Sequence, residues 1–332
     1  MQNMMIKKKI NISKYPEIQH GKNVNISCKE IEFAGRCFIG DNVLIEADKI
    51  SIGCEAIIEA NTIIKAIKGT MNEFFIGDCS LISSNCRILV PYFKMLDYSQ
   101  LHNYCLVSGY KPIQIGHNCW IGQQSILNCT ENLAINNNVR IGTHSQLWTH
   151  VASGELLEGC TLFGEHPLTL EDNVWLVGGV IVSPGLVLKR NSIVMTGSVV
   201  TKSTEAFNTY AGIPAANITH KLRCWKKLRL DQKFDTLKSF INEFLEVFPR
   251  YLDHILVWES YNSRDLEKIR RISKKKGFLL FLKKVKNWDD FKKTGITVFD
   301  LSSKKYIKQK SEVEIQWMKF SVGYRARFIP RN

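Results

Sequence analysis

The segment LWTHVASGELLEGCTLFGEHP, Leu147 to Pro167, holds two histidines, His150 and His166. Imidazole titrates near neutral pH, so either could take a proton from a reacting group and give it back. Glu155, a carboxylate able to orient an imidazole, lies between them, as does Cys160. Six further histidines, His20, His102, His117, His144, His220 and His254, compete for the role. No CxxC pair or Cys/His cluster at zinc spacing is present, so no metal is expected. General acid–base catalysis is the chemistry these residues could do, provided that something rigid positions them.

A repeat supplies the rigid element. From Leu170 every sixth residue is apolar: Leu176, Val182, Leu188, Val194 and Val200. Three residues after the first five of these stand Asn173, Gly179, Gly185, Asn191 and Gly197, types that accept a left-handed backbone at least cost. Each unit reads as a short strand with an inward side chain, followed by a corner. The beat recurs upstream as Phe33, Ile39, Ile45; Ile52, Ile58, Ile64; Ile76, Ile82, Ile88; Ile115, Ile121, Leu127; and Ile135, Ile141, Leu147. Each triplet closes one three-sided coil. Six is not a multiple of 3.6 and the anchors are rich in β-branched residues, so a helical reading is excluded. The beat slips after Ile88 and again after Leu147, which predicts loop insertions near 89–112 and 148–169. His150 falls three residues after Leu147, at a corner from which the chain leaves the coil, so rigid coil below and loop above would orient it. His117 and His144 occupy ordinary corners, and His102 falls in the first insertion.

This pattern resembles the hexapeptide-repeat, left-handed parallel β-helix proteins over roughly residues 26–220. The stretch from Asn173 through the SVVTK strand, Ser198 to Lys202, to the Gly212-Ile213-Pro214-Ala215 turn is similar to the C-terminal half of that family's sugar acetyltransferases. Leu147-Trp148-Thr149-His150 resembles the segment that holds their catalytic histidine. The resemblance implies acetyl-CoA as acyl donor, direct transfer without an acyl-enzyme, and a homotrimer with the donor lying along the coils between subunits. It implies that Gly178 and Gly179 let the thioester approach backbone amides, and that Gly197 and Ser198 do the same for the pantetheine arm. Lys202 with Lys221 or Arg223 would meet the coenzyme phosphates, and the turn holding Gly212, Pro214 and Ala215 would border the adenine. Trp148 and Trp175 could wall the acceptor or pantetheine site. His150 is then the expected base and His166 its competitor. Many relatives carry a second His or an Asp soon after the first, where this chain has Ala152 and Ser153, so Glu155 is the nearest candidate orienter.

Of the 332 residues, 45% are apolar, enough for a sizeable core, and no run of eighteen apolar residues could span a membrane. The N-terminus has no apolar stretch after its basic start, so a cytoplasmic location is expected, and the ten cysteines read as reduced core residues. From Lys221 onward there are 28 Lys and Arg against 13 Asp and Glu, whereas the rest has 17 against 18. That surplus suits an acidic glycan acceptor or peripheral association at the inner face of a membrane, and no nucleic-acid module accompanies it. Phe234, Leu237, Ile241, Phe244 and Phe248 mark an amphipathic helix. The expected architecture is an N-terminal cap over 1–25, a β-helix over 26–222, and a basic, mainly α extension over 223–332. The expected function is O-acetylation of a sugar in a surface polysaccharide or lipid-linked glycan. N-acetylation of an amino-sugar nucleotide and a non-catalytic β-helix scaffold are the alternatives.

Overall fold

A computed structural model describes residues 7–152, 154–272, 277–292 and 294–331. They divide into two compact units, with the break after Trp225.

The six-residue beat folds into a parallel β-helix with three faces. Among the described residues these are sheets of ten, eight and eleven strands, and successive coils pair in parallel register, as in Ile58 beside Ile82 and Ile141 beside Leu176. Side chains alternate along each strand, so every second one points inward. Every anchor from Ile39 to Val200 is at most 2% exposed, and Phe33 packs partly buried against the same core. Burying each such side chain stabilises the coil by about 1.5–3 kcal/mol. The corner column also holds: Asn173, Gly179, Gly185, Asn191 and Gly197 all have φ between +56° and +79°. All ten cysteines are free thiols; six are buried, and burial pushes Cys37 up to about 12.

Two boundaries differ from the sequence expectation. The β-helix starts at Ile18–His20, which pairs in parallel with Cys37–Ile39, while Lys8–Lys9 runs antiparallel to Asn25–Cys28 at the open edge. Residues 89–112 are not an insertion but a regular coil whose anchors Met95, Leu101 and Val107 are fully buried. The register places Ile76 beside Met95 and Met95 beside Ile115, so these coils need 19 or 20 residues and a strict count of sixes slips at their longer corner. After Leu147 the strands His150–Ala152 and Phe163–Glu165 form an antiparallel hairpin outside the three faces.

The second unit is α/β rather than mainly α. A five-stranded sheet runs Ile255–Trp258, Leu279–Leu282, Thr297–Asp300, Lys305–Ile307, Ile329–Pro330, and its first three strands are parallel. The helices are α1 (Leu230–Val247), α2 (Ser263–Ile272) and α3 (Glu312–Ser321). α1 buries Phe234, Leu237, Ile241 and Phe244, the stripe its spacing predicts. The strands were hidden because Leu279–Leu282 and Thr297–Asp300 are buried at every position, and such short runs have no alternation to read. Among the described residues no helix is long and apolar enough to cross a membrane.

Glu314 is wholly buried in this unit. One carboxylate oxygen accepts from the Thr297 hydroxyl and the Gln309 and Lys310 amides, at 2.5, 2.7 and 3.1 Å. Burial outweighs these donors and raises the carboxyl above its ordinary 4.5. A raised folded-state value means that the stabilisation is complete below pH 4.5 and is lost as pH rises through the raised value. Glu314→Gln keeps an oxygen for the three donors without the charge. It is expected to unfold at higher temperature than wild type at pH 7 and to flatten the pH dependence above 4.5, read by thermal denaturation across pH.

Candidate active site

The coil register explains how His150 is held. Ile126 lies beside Gln146, and continuing that register sets Asn128 under Trp148 and Thr130 under His150. Gln146 pairs onward with Ile181, which brings Ser183 to the same outer face. Trp148, His150, Val151, Ala152, Ile181, Ser183 and Pro184 line an open cleft of about 300 Å³. His150 is not at a left-handed corner, as its distance from Leu147 suggested; it begins the hairpin strand His150–Ala152.

Asn128 fixes the imidazole. Its Oδ1 accepts from the Thr149 N–H at 3.2 Å and from the Thr149 hydroxyl at 2.7 Å, and its Nδ2 donates to Thr130 Oγ1 at 3.2 Å. These bonds identify the oxygen end of the amide. His150 Nδ1 stands 3.0 Å from that Oδ1, so it must carry the hydrogen, and Thr130 Oγ1 lies 3.2 Å from the same nitrogen. A neutral ring protonated at Nδ1 leaves the Nε2 lone pair free, the form a general base requires. Thr149 is fully buried, so the backbone entering His150 is anchored too.

Glu155 is therefore not the orienter. It is exposed in the excursion, its carbonyl accepts from Cys160 N–H, and the partners of His150 Nδ1 are Asn128 and Thr130. Sequence reasoning missed Asn128 because it precedes His150 by a whole coil; once the coil length is known, the position below is the one to inspect. His166 is exposed, its amide bonded to the Thr149 carbonyl, and its ring lies over Gly164, where a Cβ would be 2.8 Å from Nε2. Strand alternation turns Gly164 away from the face shared by His150 and its cross-strand neighbour Glu165. Of the other histidines, His144 is a corner residue at φ +59°, and His102 belongs to a regular coil, its ring tilted at 50° against Trp120, with burial lowering its basicity. Among the described residues, no three His, Cys, Asp or Glu side chains converge as a metal site.

The glycines expected near the donor divide into two kinds. Gly179 N–H donates to the Thr143 carbonyl at 2.8 Å and Gly197 N–H to the Gly178 carbonyl at 3.0 Å, so both amides are committed to the coil. Gly178 N–H has no acceptor among the described residues. A Cβ on Gly178 would come no nearer than 3.7 Å to anything, and one on Gly197 would meet nothing within 4 Å. The coil's own packing thus leaves open space there, as a group lying along the coils requires. Ser198 is fully buried, and its hydroxyl accepts from Gly212 N–H at 3.1 Å, tying the coil to the final turn. That turn, with Gly212 at φ +102°, Pro214 and Ala215, joins Thr209–Ala211 to Ala216–Asn217, and the Ala215 N–H donates to the Val199 carbonyl at 2.8 Å. Trp175 is 46% exposed on another face, and Lys202, Lys221 and Arg223 are exposed near the end of the coil.

No family model matches the chain. It is 28% identical over 173 residues to a Schizosaccharomyces pombe protein assigned as an acetyltransferase, covering 49% of this chain and 81% of that one. It is 29% identical over 104 residues to the galactoside O-acetyltransferase of Escherichia coli, covering 31% of this chain and 51% of that one. The match thus spans about half the length of that second relative. Among solved structures, the hexapeptide-repeat acetyltransferase of Vibrio cholerae in complex with acetyl coenzyme A is 21% identical, with a TM-score of 0.32 over 43% of this chain and 69% of that one.

Proposed function

From the premise of a chain similar to the hexapeptide-repeat acetyltransferases, we propose that it transfers an acetyl group from acetyl-CoA to a sugar hydroxyl of a surface polysaccharide or lipid-linked glycan. The observation that carries this reading is the Asn128 contact, which puts a hydrogen on His150 Nδ1 and so makes Nε2 the nitrogen that can take a proton, on a side chain that lines an open cleft. His150 takes the proton that the attacking hydroxyl loses and returns it to the departing thiolate. No acyl-enzyme is needed, so Cys160 has no part. Gly178 N–H, uncommitted within the coil, is the donor available to the carbonyl oxygen as charge develops on it. Acetyl-CoA supplies the activated acyl group. Its arm runs past Gly178, Gly179 and Gly197, with Trp175 alongside, Lys202 and Lys221 toward its phosphates, and Gly212, Pro214 and Ala215 at the adenine end. The coils wind left-handed, and three copies assemble so that each donor lies between two of them.

Gly178→Ala tests the donor assignment. The site has room for a methyl and no left-handed φ, so the variant should fold with unchanged melting temperature. Its KM for acetyl-CoA is expected to rise about tenfold, the equivalent of about 1.4 kcal/mol. An unchanged KM in the folded variant would remove Gly178 from the site.

A further inference from the structure

We propose that the cleft beside His150 takes a single neutral pyranose ring, its apolar face against Trp148 and its hydroxyls held by the Glu165 carboxylate. The inference rests on the acetyltransferase reading and names the acceptor class of the same site. Trp148 is only half-buried, and its indole Nε1 donates to Gln146 Oε1 at 3.2 Å, so the ring is held by one polar edge while its surface lines the cleft. It meets the His150 ring edge-on, with centroids 5.9 Å apart at 61°, so a sugar resting on it lies next to the base. Aromatic faces bind the C–H face of a sugar through dispersion and apolar burial, with no demand on charge.

Glu165 supplies the second contact. It pairs with His150 across the hairpin, and directly opposed residues of an antiparallel pair project to the same side about 4.5–5.5 Å apart. Its side chain is exposed and makes no hydrogen bond or ion pair with a described residue. A free carboxylate beside a base is an acceptor for sugar hydroxyls, and adjacent hydroxyls can engage its two oxygens together. The residues lining the cleft carry no cation, and the residue opposite His150 in the hairpin is the carboxylate Glu165. A carboxylated ring would meet repulsion with no compensating lysine or arginine. The volume of about 300 Å³ suits one ring. Acidic groups elsewhere on a polymeric acceptor are unaffected, so the basic C-terminal residues do not bear on this choice.

The test compares methyl galactoside with methyl galacturonide, by tryptophan fluorescence for binding and by thiol release from acetyl-CoA for transfer. Wild type should favour the neutral sugar at least tenfold. Trp148→Ala should raise KM for the sugar about tenfold with kcat and the acetyl-CoA KM near wild type, and Trp148→Phe should recover most of the loss. Glu165→Gln should narrow the gap between the two sugars. If Trp148→Ala does not fold, Trp148→Phe and Glu165→Gln carry the comparison. Equal handling of the two sugars, or variants indistinguishable from wild type, would overturn the inference while leaving acetyl transfer intact. Selective binding of the neutral sugar without transfer would instead overturn the transferase reading and keep the inference.

Discussion

His150→Ala should lower kcat about 10³-fold, within the range that a positioned general base contributes, with KM values for sugar and acetyl-CoA within a few-fold of wild type. The side chain is part-buried at the rim of the coil and anchors no core packing, so the melting temperature should not move. The loss should fall on kcat because the proton changes hands only as the hydroxyl attacks. His166→Ala is the matched control. Its ring lies over Gly164 and is not among the residues that line the cleft, so activity should stay within a few-fold of wild type. Steady-state kinetics on the two variants separate the competitors that the sequence offered.

Asn128→Ala should lower kcat by about 10- to 100-fold, the usual cost of removing a group that orients an imidazole. Without Oδ1 the ring loses its 3.0 Å acceptor at Nδ1, and the tautomer with the hydrogen on Nε2, useless as a base, becomes populated. A stability loss of about 1–3 kcal/mol should accompany it, because the Thr149 N–H also bonds to Asn128 and would be left buried and unpaired. Asn128→Asp retains the acceptor and gives up only the Nδ2 bond to Thr130, so it should lie much nearer wild type. A role confined to packing would move stability alike in both variants and leave kcat per folded molecule untouched.

The coil was legible because its physics is periodic: an inward anchor in each strand and a left-handed residue at the corner after it leave marks at fixed offsets, and the corners from Asn173 to Gly197 fall where the offsets put them. What was illegible broke that period. Met95, Leu101 and Val107 keep the beat among themselves, but a longer corner separates them from Ile88, and a lengthened corner looks like an insertion. Asn128 and Glu165 reach His150 through register, one from the coil below and one across a hairpin, and register is a three-dimensional quantity that a one-dimensional spacing does not carry. Ser198 and Gly179, read as donor contacts, spend their polar groups on the coil itself. The C-terminal sheet escaped notice because strands buried on both faces show neither alternation nor helical spacing.

The most direct test of the account is thiol release from acetyl-CoA in the presence and absence of a neutral sugar, with the product examined by mass spectrometry before and after mild alkali. The account predicts release that depends on the sugar, a product bearing one acetyl group that alkali removes as an ester, and neither with His150→Ala. An alkali-stable acetyl group on an amino sugar, no sugar-dependent release across a panel of saccharides, or full activity in His150→Ala would contradict it.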